Sequence, residues 1–291
     1  MPRNSRRSDP LAARKLLSDY SLEMTGKDIS DLLAAQSTIP AGTKINVTFL
    51  GNEDLELRVA AADAVRAAGF VPVPHISARR ITSRAHLEEF LRRLQEVGAS
   101  EHVFVVGGDP AAPQGPYGAA LDIIRTGLLP EHGVREVSVA GYPEGHPDIR
   151  RDVLWRALED KTAALAEQGL DSVLISQFAF DSDPVVTWIH EVRERGIHAQ
   201  IRVGTPGPAG IKRLLGFARR FGIGANATIV KKYGFSITNL IGTAGPDDFV
   251  ADLAAQLSGD SASGAVRLHF YTFGGLTATS HWVRDFRLAA V

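Results

Sequence analysis

Cysteine is absent from this chain of 291 residues. Its absence excludes a disulfide framework, a thiolate metal site and a cysteine nucleophile. An excess of charge is also lacking, because 32 Lys and Arg face 33 Asp and Glu, a formal net charge of −1. This balance gives no electrostatic reason to expect a nucleic acid or an anionic membrane as partner. No apolar run approaches the roughly 18 residues of a membrane span.

Recognisable targeting and metal motifs are missing as well. The opening segment MPRNSRRSDP is basic but has no apolar stretch, so it is not a secretory signal, and the cytoplasm is the default location. We expect residues 1–18 to form a flexible tail and residues 19–291 to form a single domain. The histidines have neither HExxH nor two-His-one-carboxylate spacing, which indicates that no metal is bound.

What the sequence does contain is a regular alternation of short apolar runs with longer helical patterns. Eight such runs predict strands at residues 20–24, 44–50, 70–75, 102–107, 135–141, 172–178, 198–203 and 266–272. Helical patterns predict helices at residues 28–36, 54–68, 83–97, 117–126, 149–168, 184–195, 209–221, 226–239 and 247–257. Eight strand–helix units indicate an α/β fold of the (β/α)8, or TIM-barrel, type. An open doubly wound sheet is the alternative, and it is weakened because GxGxxG follows none of the strands.

Polar residues follow the predicted strands at the ends where a barrel builds its active site. Six of the eight strands contribute them, namely Glu23, His75, the Gly107-Gly108-Asp109 segment, the Tyr142, Glu144 and His146 cluster, Gln177, and His269 with Tyr271. We therefore expect a functional site at the carboxyl ends of the strands. Pro143 and Pro147 stiffen the Tyr142–His146 loop, which would reduce the freedom lost on ligand binding.

The candidates differ in the chemistry that they offer. Glu23 is a carboxylate on the first strand, where burial would suit it to general-acid catalysis, although a structural salt bridge with Arg202 is an alternative. Gly107 and Gly108 would let the backbone approach a flat ligand, and Asp109 would bind it or form an Asx turn. The Gln177 amide matches the edge of a heterocycle, or it hydrogen-bonds a neighbouring strand.

Three other candidates also have structural explanations. His75 could be a satisfied core imidazole. Tyr142 and His146 could simply pack at the rim of the barrel.

Six segments in register resemble the methylenetetrahydrofolate reductases, whose fold is a (β/α)8 barrel. The segments are SLEMTGKD (21–28), PHISAR (74–79), GGDP (107–110), VAGYPEGHP (139–147), ISQFAFD (175–181) and LHFYT (268–272). The resemblance implies reduction of 5,10-methylenetetrahydrofolate to 5-methyltetrahydrofolate. It implies that Glu23 is the general acid at N10, that Asp109 stabilises the developing cation and binds the pterin, and that Gln177 and Tyr271 bind the substrate.

In most of the family FAD carries the hydride, and His75, Gly108, Tyr142 and His146 match positions at the cofactor. Three positions where the family usually has cations differ here: Gly107, Leu165 and Gly274 or Gly275, with Lys161 about one helical turn before Leu165. Losing such cations removes charge-assisted contacts to a diphosphate. We therefore expect direct hydride transfer from NADH or NADPH, with His75, Tyr142 and His146 lining the nicotinamide pocket, and FAD as the alternative.

The expected partner is a small folate, with no nucleic acid and no membrane. A homo-oligomer stays open, because the outer helices of barrels often pair. Two other functions compete with the reductase: a pterin-binding methyltransferase without redox chemistry, and a non-catalytic ligand-binding barrel.

Overall fold

A computed structural model describes residues 10–220 and 243–289 of the chain. The barrel strands are β1 (Ser21–Met24), β2 (Lys44–Val47), β3 (Val71–Ser77), β4 (His102–Val106), β5 (Glu136–Gly141), β6 (Asp171–Ser176), β7 (Gln200–Pro206) and β8 (Val266–Tyr271). The helices are α1 (Pro10–Leu16), α2 (Ile29–Ala35), α3 (Leu55–Ala67), α4 (Arg84–Glu96), α5 (Ala120–Ile124), α6 (Leu128–Glu131), α7 (Arg151–Glu167), α8 (Ser182–Glu194), α9 (Ile211–Arg220), α10 (Asp247–Leu257) and α11 (Leu276–Ala289). Ala209–Gly210 and Thr243–Ala244 form a short antiparallel ribbon.

The eight strands form a closed barrel in chain order. Neighbouring strands pair in parallel, for example from Ser21 to Lys44 between β1 and β2, and from Val266 to Ile201 between β8 and β7. The predicted (β/α)8 barrel is therefore confirmed, and the open doubly wound sheet is wrong. The prediction rested on the eight alternating strand–helix units, and the apolar runs fit strands of a parallel sheet that are buried on both faces.

The chain divides into two compact units. The first unit comprises Ser21–Gly141 and Arg151–Ile175, and the second comprises the described residues of Met1–Tyr20, Tyr142–Arg150 and Ser176–Val291. The prediction of a single domain over residues 19–291 stays a prediction.

The inner face of the first unit is apolar in its middle and charged at its amino end. Val73, Phe104, Val173 and Ile175 form the apolar cluster. At the amino ends of the strands, Lys44 Nζ donates to Glu136 Oε1 and Oε2 at 2.6 and 2.7 Å. His102 Nδ1 lies 3.3 Å from the same carboxylate. Burial alone would raise the pKa of Glu136, but hydrogen bonds from His102 and Lys44 outweigh it and lower the pKa to about 2.

The amino-terminal part differs from its prediction. Residues 10–16 form α1, so the expected flexible tail over residues 1–18 is wrong for this part. Ala13, Leu16 and Leu17 are buried because they share one face of the helix, and α1 packs against α10.

Other helices also differ from their predictions. The short α6 and the terminal α11 were not predicted, while the helix predicted at 226–239 lies outside the described residues. Within residues 10–220 and 243–289, each helix is too short or too polar to span a lipid bilayer.

Candidate active site

Glu23 and His75 come together in the first unit. Glu23 Oε2 lies 3.9 Å from His75 Nε2, and the two side chains are only 17% and 9% exposed. The edge-to-face contact between the His75 and Phe104 rings, with centroids 4.7 Å apart, seats the imidazole on the apolar cluster. The Glu23–His75 distance is too long for a direct hydrogen bond. The carboxyl group and the imidazole are therefore close neighbours near the carboxyl ends of β1 and β3.

The two glycines after β4 differ in how the structure uses them. Gly108 has a φ of +98°, and a Cβ there would collide with Ser77 Oγ, so the backbone requires glycine. A Cβ at Gly107 would meet nothing within 4 Å. Packing therefore explains Gly108, while a larger residue would fit at Gly107.

Asp109 forms an ion pair that the sequence did not predict. Arg80 Nε donates to Asp109 Oδ1 and Arg80 Nη2 donates to Oδ2, both at 2.9 Å. The Asp109 side chain is 67% exposed, whereas that of Arg80 is 17% exposed. The carboxylate is thus neutralised by a cation in the structure, which weakens the electrostatic stabilisation that Asp109 alone would offer to a developing cation.

The turn that carries Arg80 also anchors the segment after β4. Arg79 N donates to Gly107 O at 2.9 Å. The Arg79 side chain donates through Nε to Gly118 O at 2.9 Å and through Nη1 to Pro110 O at 3.2 Å. The segment from Gly107 to Gly118 is therefore held by the 3-10 turn Ala78–Arg80, which follows β3.

Tyr142 and His146 come together in the second unit. Their rings meet edge-to-face with centroids 5.5 Å apart, and Gly145 N donates to Tyr142 O at 3.0 Å to close the turn between them. Asp148 N donates to His146 Nδ1 at 3.1 Å, which assigns the proton of the neutral ring to Nε2. Burial raises the pKa of the Tyr142 hydroxyl. Tyr142 and His146, two members of the cluster expected after β5, thus contact each other within one turn.

Gln177 and Tyr271 also lie in the second unit. Gln177 is the residue after β6, and its Oε1 accepts a hydrogen bond from Phe178 N at 3.0 Å. The Tyr271 hydroxyl donates to Ser176 O at 3.1 Å, and its ring contacts that of Phe178 with centroids 5.5 Å apart. A Cβ at Gly204 on β7 would collide with both Ser176 O and the Tyr271 ring, so glycine lets Tyr271 cross β7.

The predicted residues therefore form separate contacts: Glu23 with His75, Tyr142 with His146, and Tyr271 beside the Gln177 segment. Arg202, the alternative partner of Glu23, donates from Nη1 to Asp19 O at 2.7 Å and from Nη2 to Asp19 Oδ2 at 2.8 Å. The prediction that Glu23, Asp109 and Gln177 act on one ligand stays a prediction.

The positions expected to hold flavin-binding cations can be compared with the structure. Leu165 is fully buried on α7, and a Cβ at Gly274 would collide with Pro208 O, so neither position can present a cation. Lys161 is buried as well, with Nζ 3.4 Å from Ala140 O at the end of β5. Burial lowers the pKa of Lys161 to about 8. Gly107, Leu165 and Gly274 do not fit a flavin diphosphate held by cations at those positions.

Two polar residues of this region were missed from the sequence. The sequence gives no indication that Arg80 belongs to the site, because its partner Asp109 lies 29 residues away. Asn46 lies between Ile45 and Val47 in the strand KINV and is almost fully buried. The only indication in the sequence was a polar amide between two apolar strand residues, since buried polar groups usually have hydrogen-bond partners. No cluster of three or more His, Asp or Glu suited to a metal occurs among the described residues.

The fold and the site together define a (β/α)8 barrel with a carboxylate–imidazole pair near the strand ends, the arrangement that barrel enzymes use. The family model for methylenetetrahydrofolate reductase matches residues 34–281. The chain belongs to this family, which confirms the resemblance of the six segments.

Individual relatives agree with the family assignment. Methylenetetrahydrofolate reductase 1 of Schizosaccharomyces pombe is 28% identical over 200 residues, covering 64% of this chain and 31% of that protein. Methylenetetrahydrofolate reductase (NADH) 1 of Arabidopsis thaliana is 26% identical over 185 residues, covering 59% of this chain and 28% of that protein. The matched part thus spans less than a third of either relative.

One solved structure shares only a general likeness. Dihydropteroate synthase from Thermus thermophilus aligns over 94% of this chain and 95% of its own, with a TM-score of 0.48 and 16% identity. This similarity is too low to bear on function.

Proposed function

We propose that this protein reduces 5,10-methylenetetrahydrofolate to 5-methyltetrahydrofolate with a hydride from a nicotinamide nucleotide. A proton from Glu23 adds to N10, the five-membered ring opens, and a reactive N5 iminium forms. The hydride then adds to the one-carbon unit of the iminium, and the nicotinamide leaves oxidised. Glu23 regains its proton from solvent before the next turnover.

The Glu23–His75 pair is the observation that carries this proposal. General-acid catalysis needs a carboxyl group that is shielded from water yet able to exchange its proton. Glu23 is mostly buried and lies 3.9 Å from the His75 imidazole. A developing iminium cation is also stabilised more strongly by carboxylates in a dry cleft than in water.

The proposal assigns the hydride donor to NADH or NADPH directly. The Arabidopsis relative carries NADH in its name, which supports a nicotinamide donor. Direct transfer is supported by Gly107, Leu165 and Gly274, which do not fit a flavin diphosphate. His75, Tyr142 and His146 are then the candidates to line the nicotinamide pocket, and Gln177, Asp109 and Tyr271 the candidates to bind the folate.

The decisive experiment mixes the purified protein with 5,10-methylenetetrahydrofolate and either NADH or NADPH and follows the nicotinamide absorbance band. We expect oxidation that depends on the folate. Glu23→Gln should lower turnover about 10²- to 10⁴-fold, the usual contribution of general-acid catalysis. Glu101→Gln, a change at an exposed glutamate, is the matched control and should leave turnover unchanged.

Three outcomes would count against parts of the proposal. Folate binding without nicotinamide oxidation would favour a pterin-binding methyltransferase, and an unaffected Glu23→Gln variant would remove Glu23 from the mechanism. A yellow protein with a flavin spectrum would replace direct transfer by transfer through FAD.

A further inference from the structure

Asn46 is a buried polar residue on β2 that none of the roles above uses. It is 1% exposed, and its side-chain Nδ2 has no hydrogen-bond partner among the described residues. A buried donor without an acceptor costs free energy that a leucine of the same branched shape at this position would not. This cost calls for a functional explanation.

The face on which Asn46 lies follows from its neighbour Lys44. Lys44 Nζ reaches Glu136 Oε1 on β5 at 2.6 Å, and β5 is three strands away from β2 around the barrel. Such an ion pair can form only across the barrel interior. Because side chains alternate along a strand, Asn46 shares the face of Lys44, and its amide points into the interior.

The neighbour of Asn46 on β1 is Glu23. The two residues are Cα partners in the parallel ladder, so their side chains leave the sheet side by side from strands about 4.8 Å apart. Glu23 Oε2 also comes within 3.9 Å of His75 on β3, so these two side chains meet over the strand between them, which is β2. The Asn46 amide therefore lies beneath the Glu23–His75 pair.

We propose that Asn46 is a positioning residue whose side-chain N–H donates a hydrogen bond to the Glu23 carboxylate once Glu23 has given up its proton. The inference rests on the proposed function, in which Glu23 is the general acid. A hydrogen bond to the carboxylate is stronger than one to the protonated carboxyl group, so this donor stabilises the transition state, in which the charge develops, more than the ground state. Ligand contact is a weaker explanation, because the Nδ2 atom is closed off from solvent in the structure.

Asn46→Leu tests the proposal because it keeps the branched shape and the number of side-chain heavy atoms and removes the donor. We expect kcat to fall about 10-fold, which is the order expected for one charge-assisted hydrogen bond. KM for the folate and for the nicotinamide should stay within about two-fold, and Tm should stay the same or rise because the unpaired donor is gone.

Asn46→Ser, which keeps a donor, should recover part of kcat, and Asn52→Leu, at an exposed asparagine, is the control. A lower Tm together with a higher KM would show a structural or ligand-binding role and overturn the proposal.

A double-mutant comparison tests the link to Glu23. In a Glu23→Gln background, Asn46→Leu should cause no further loss of kcat, because the carboxylate that Asn46 serves is gone. Losses that multiply would show that Asn46 acts independently of Glu23 and would contradict the proposal.

A spectroscopic measurement separates this inference from the proposed function. With ¹⁵N-asparagine labelling, the Asn46 side-chain amide signal can be identified by its loss in Asn46→Leu. Raising the pH until Glu23 ionises should shift this signal in the wild-type protein but not in Glu23→Gln. If the wild-type protein shows no turnover but the signal shifts, the reductase proposal fails while the Asn46–Glu23 pairing stands. If the signal does not move, the pairing is wrong whether or not the protein is a reductase.

Discussion

Arg80 donates two parallel hydrogen bonds to the Asp109 carboxylate, both 2.9 Å long. The guanidinium lies against Gly51, where a Cβ would collide with Arg80 Nη1. Gly51 therefore makes room for the cation, and the cation fixes the orientation of a carboxylate that is otherwise mostly exposed. Gly51, Arg80 and Asp109 follow β2, β3 and β4 and contact one another, so a change at Gly51 or at Arg80 alters the orientation of the Asp109 carboxylate.

We predict that Arg80→Gln and Gly51→Ala have the same effect on folate binding. Both changes remove the guanidinium from Asp109, by deletion or by displacement, and free the carboxylate to rotate. KM for the folate should rise about 3- to 10-fold in each variant, as expected for losing a contact worth about 1 kcal/mol. Steady-state kinetics with varied folate measure the effect.

The same two variants should differ little from wild type in stability, because exposed ion pairs contribute only about 0–1 kcal/mol. Gly210→Ala is the control for Gly51→Ala, because a Cβ at Gly210 would meet nothing within 4 Å. Gly42→Ala would not serve, because Gly42 has a positive φ. An unchanged folate KM in both variants would show that the orientation of Asp109 does not matter for binding.

The second prediction concerns Gly204 and the crossing of β7 by Tyr271. Gly204→Ala forces a methyl group against Ser176 O and the Tyr271 ring, so it should destabilise the protein by about 1–3 kcal/mol, the usual range for overpacking. Urea denaturation measures the change. Gly216→Ala is the control, because Gly216 is exposed on α9 with no atom within 4 Å of a Cβ and should gain about 0.5–1 kcal/mol. Equal stability of the two variants would mean that Tyr271 adjusts freely.

The third prediction is a pH dependence set by Glu136. Its pKa falls from an ordinary 4.5 to about 2 in the folded protein. A lowered carboxyl pKa stabilises the folded state above pH 4.5, and this contribution is lost as the pH falls from 4.5 towards 2. Glu136→Gln should therefore lose up to about 3 kcal/mol at about pH 7 and clearly less at about pH 3. Urea unfolding at the two pH values checks this, with Glu101→Gln as an exposed control, and a loss independent of pH would contradict it.

Sequence reasoning was strong for the strands and weaker for the site. Runs such as Val103 to Val106 are apolar on both faces, which indicates a parallel sheet covered by helices, and the count of eight strand–helix units then favoured the barrel over an open sheet. Helix α1 was missed because it has only 7 residues and follows the polar and basic segment MPRNSRRSD, and because its apolar face becomes visible only against α10.

Within the site, the placement of Glu23 and His75 near strand ends follows from the barrel geometry, but their pairing was not predicted, and Arg202 was the structural partner considered for Glu23. The Arg80–Asp109 pair and the place of Asn46 could not be predicted. Both depend on which side chains meet across strands, and that information is absent from spacing along one chain.

The last prediction concerns Lys161, which has its ammonium group 3.4 Å from Ala140 O. Burial lowers its pKa from an ordinary 10.5 to about 8, so the folded state disfavours the charged form. Below pH 8 the proton is present in both states and the full penalty applies. Between pH 8 and 10.5 the folded protein releases the proton while the unfolded chain keeps it, so stability rises with pH.

Lys161→Met should therefore be more stable than wild type at about pH 7, by up to about 3 kcal/mol, and the difference should shrink towards about pH 10. Urea unfolding at about pH 7 and about pH 9.5 measures this, with the exposed Lys15→Met as control. A variant less stable than wild type at both pH values would mean that the contact with Ala140 outweighs the cost of burying the charge.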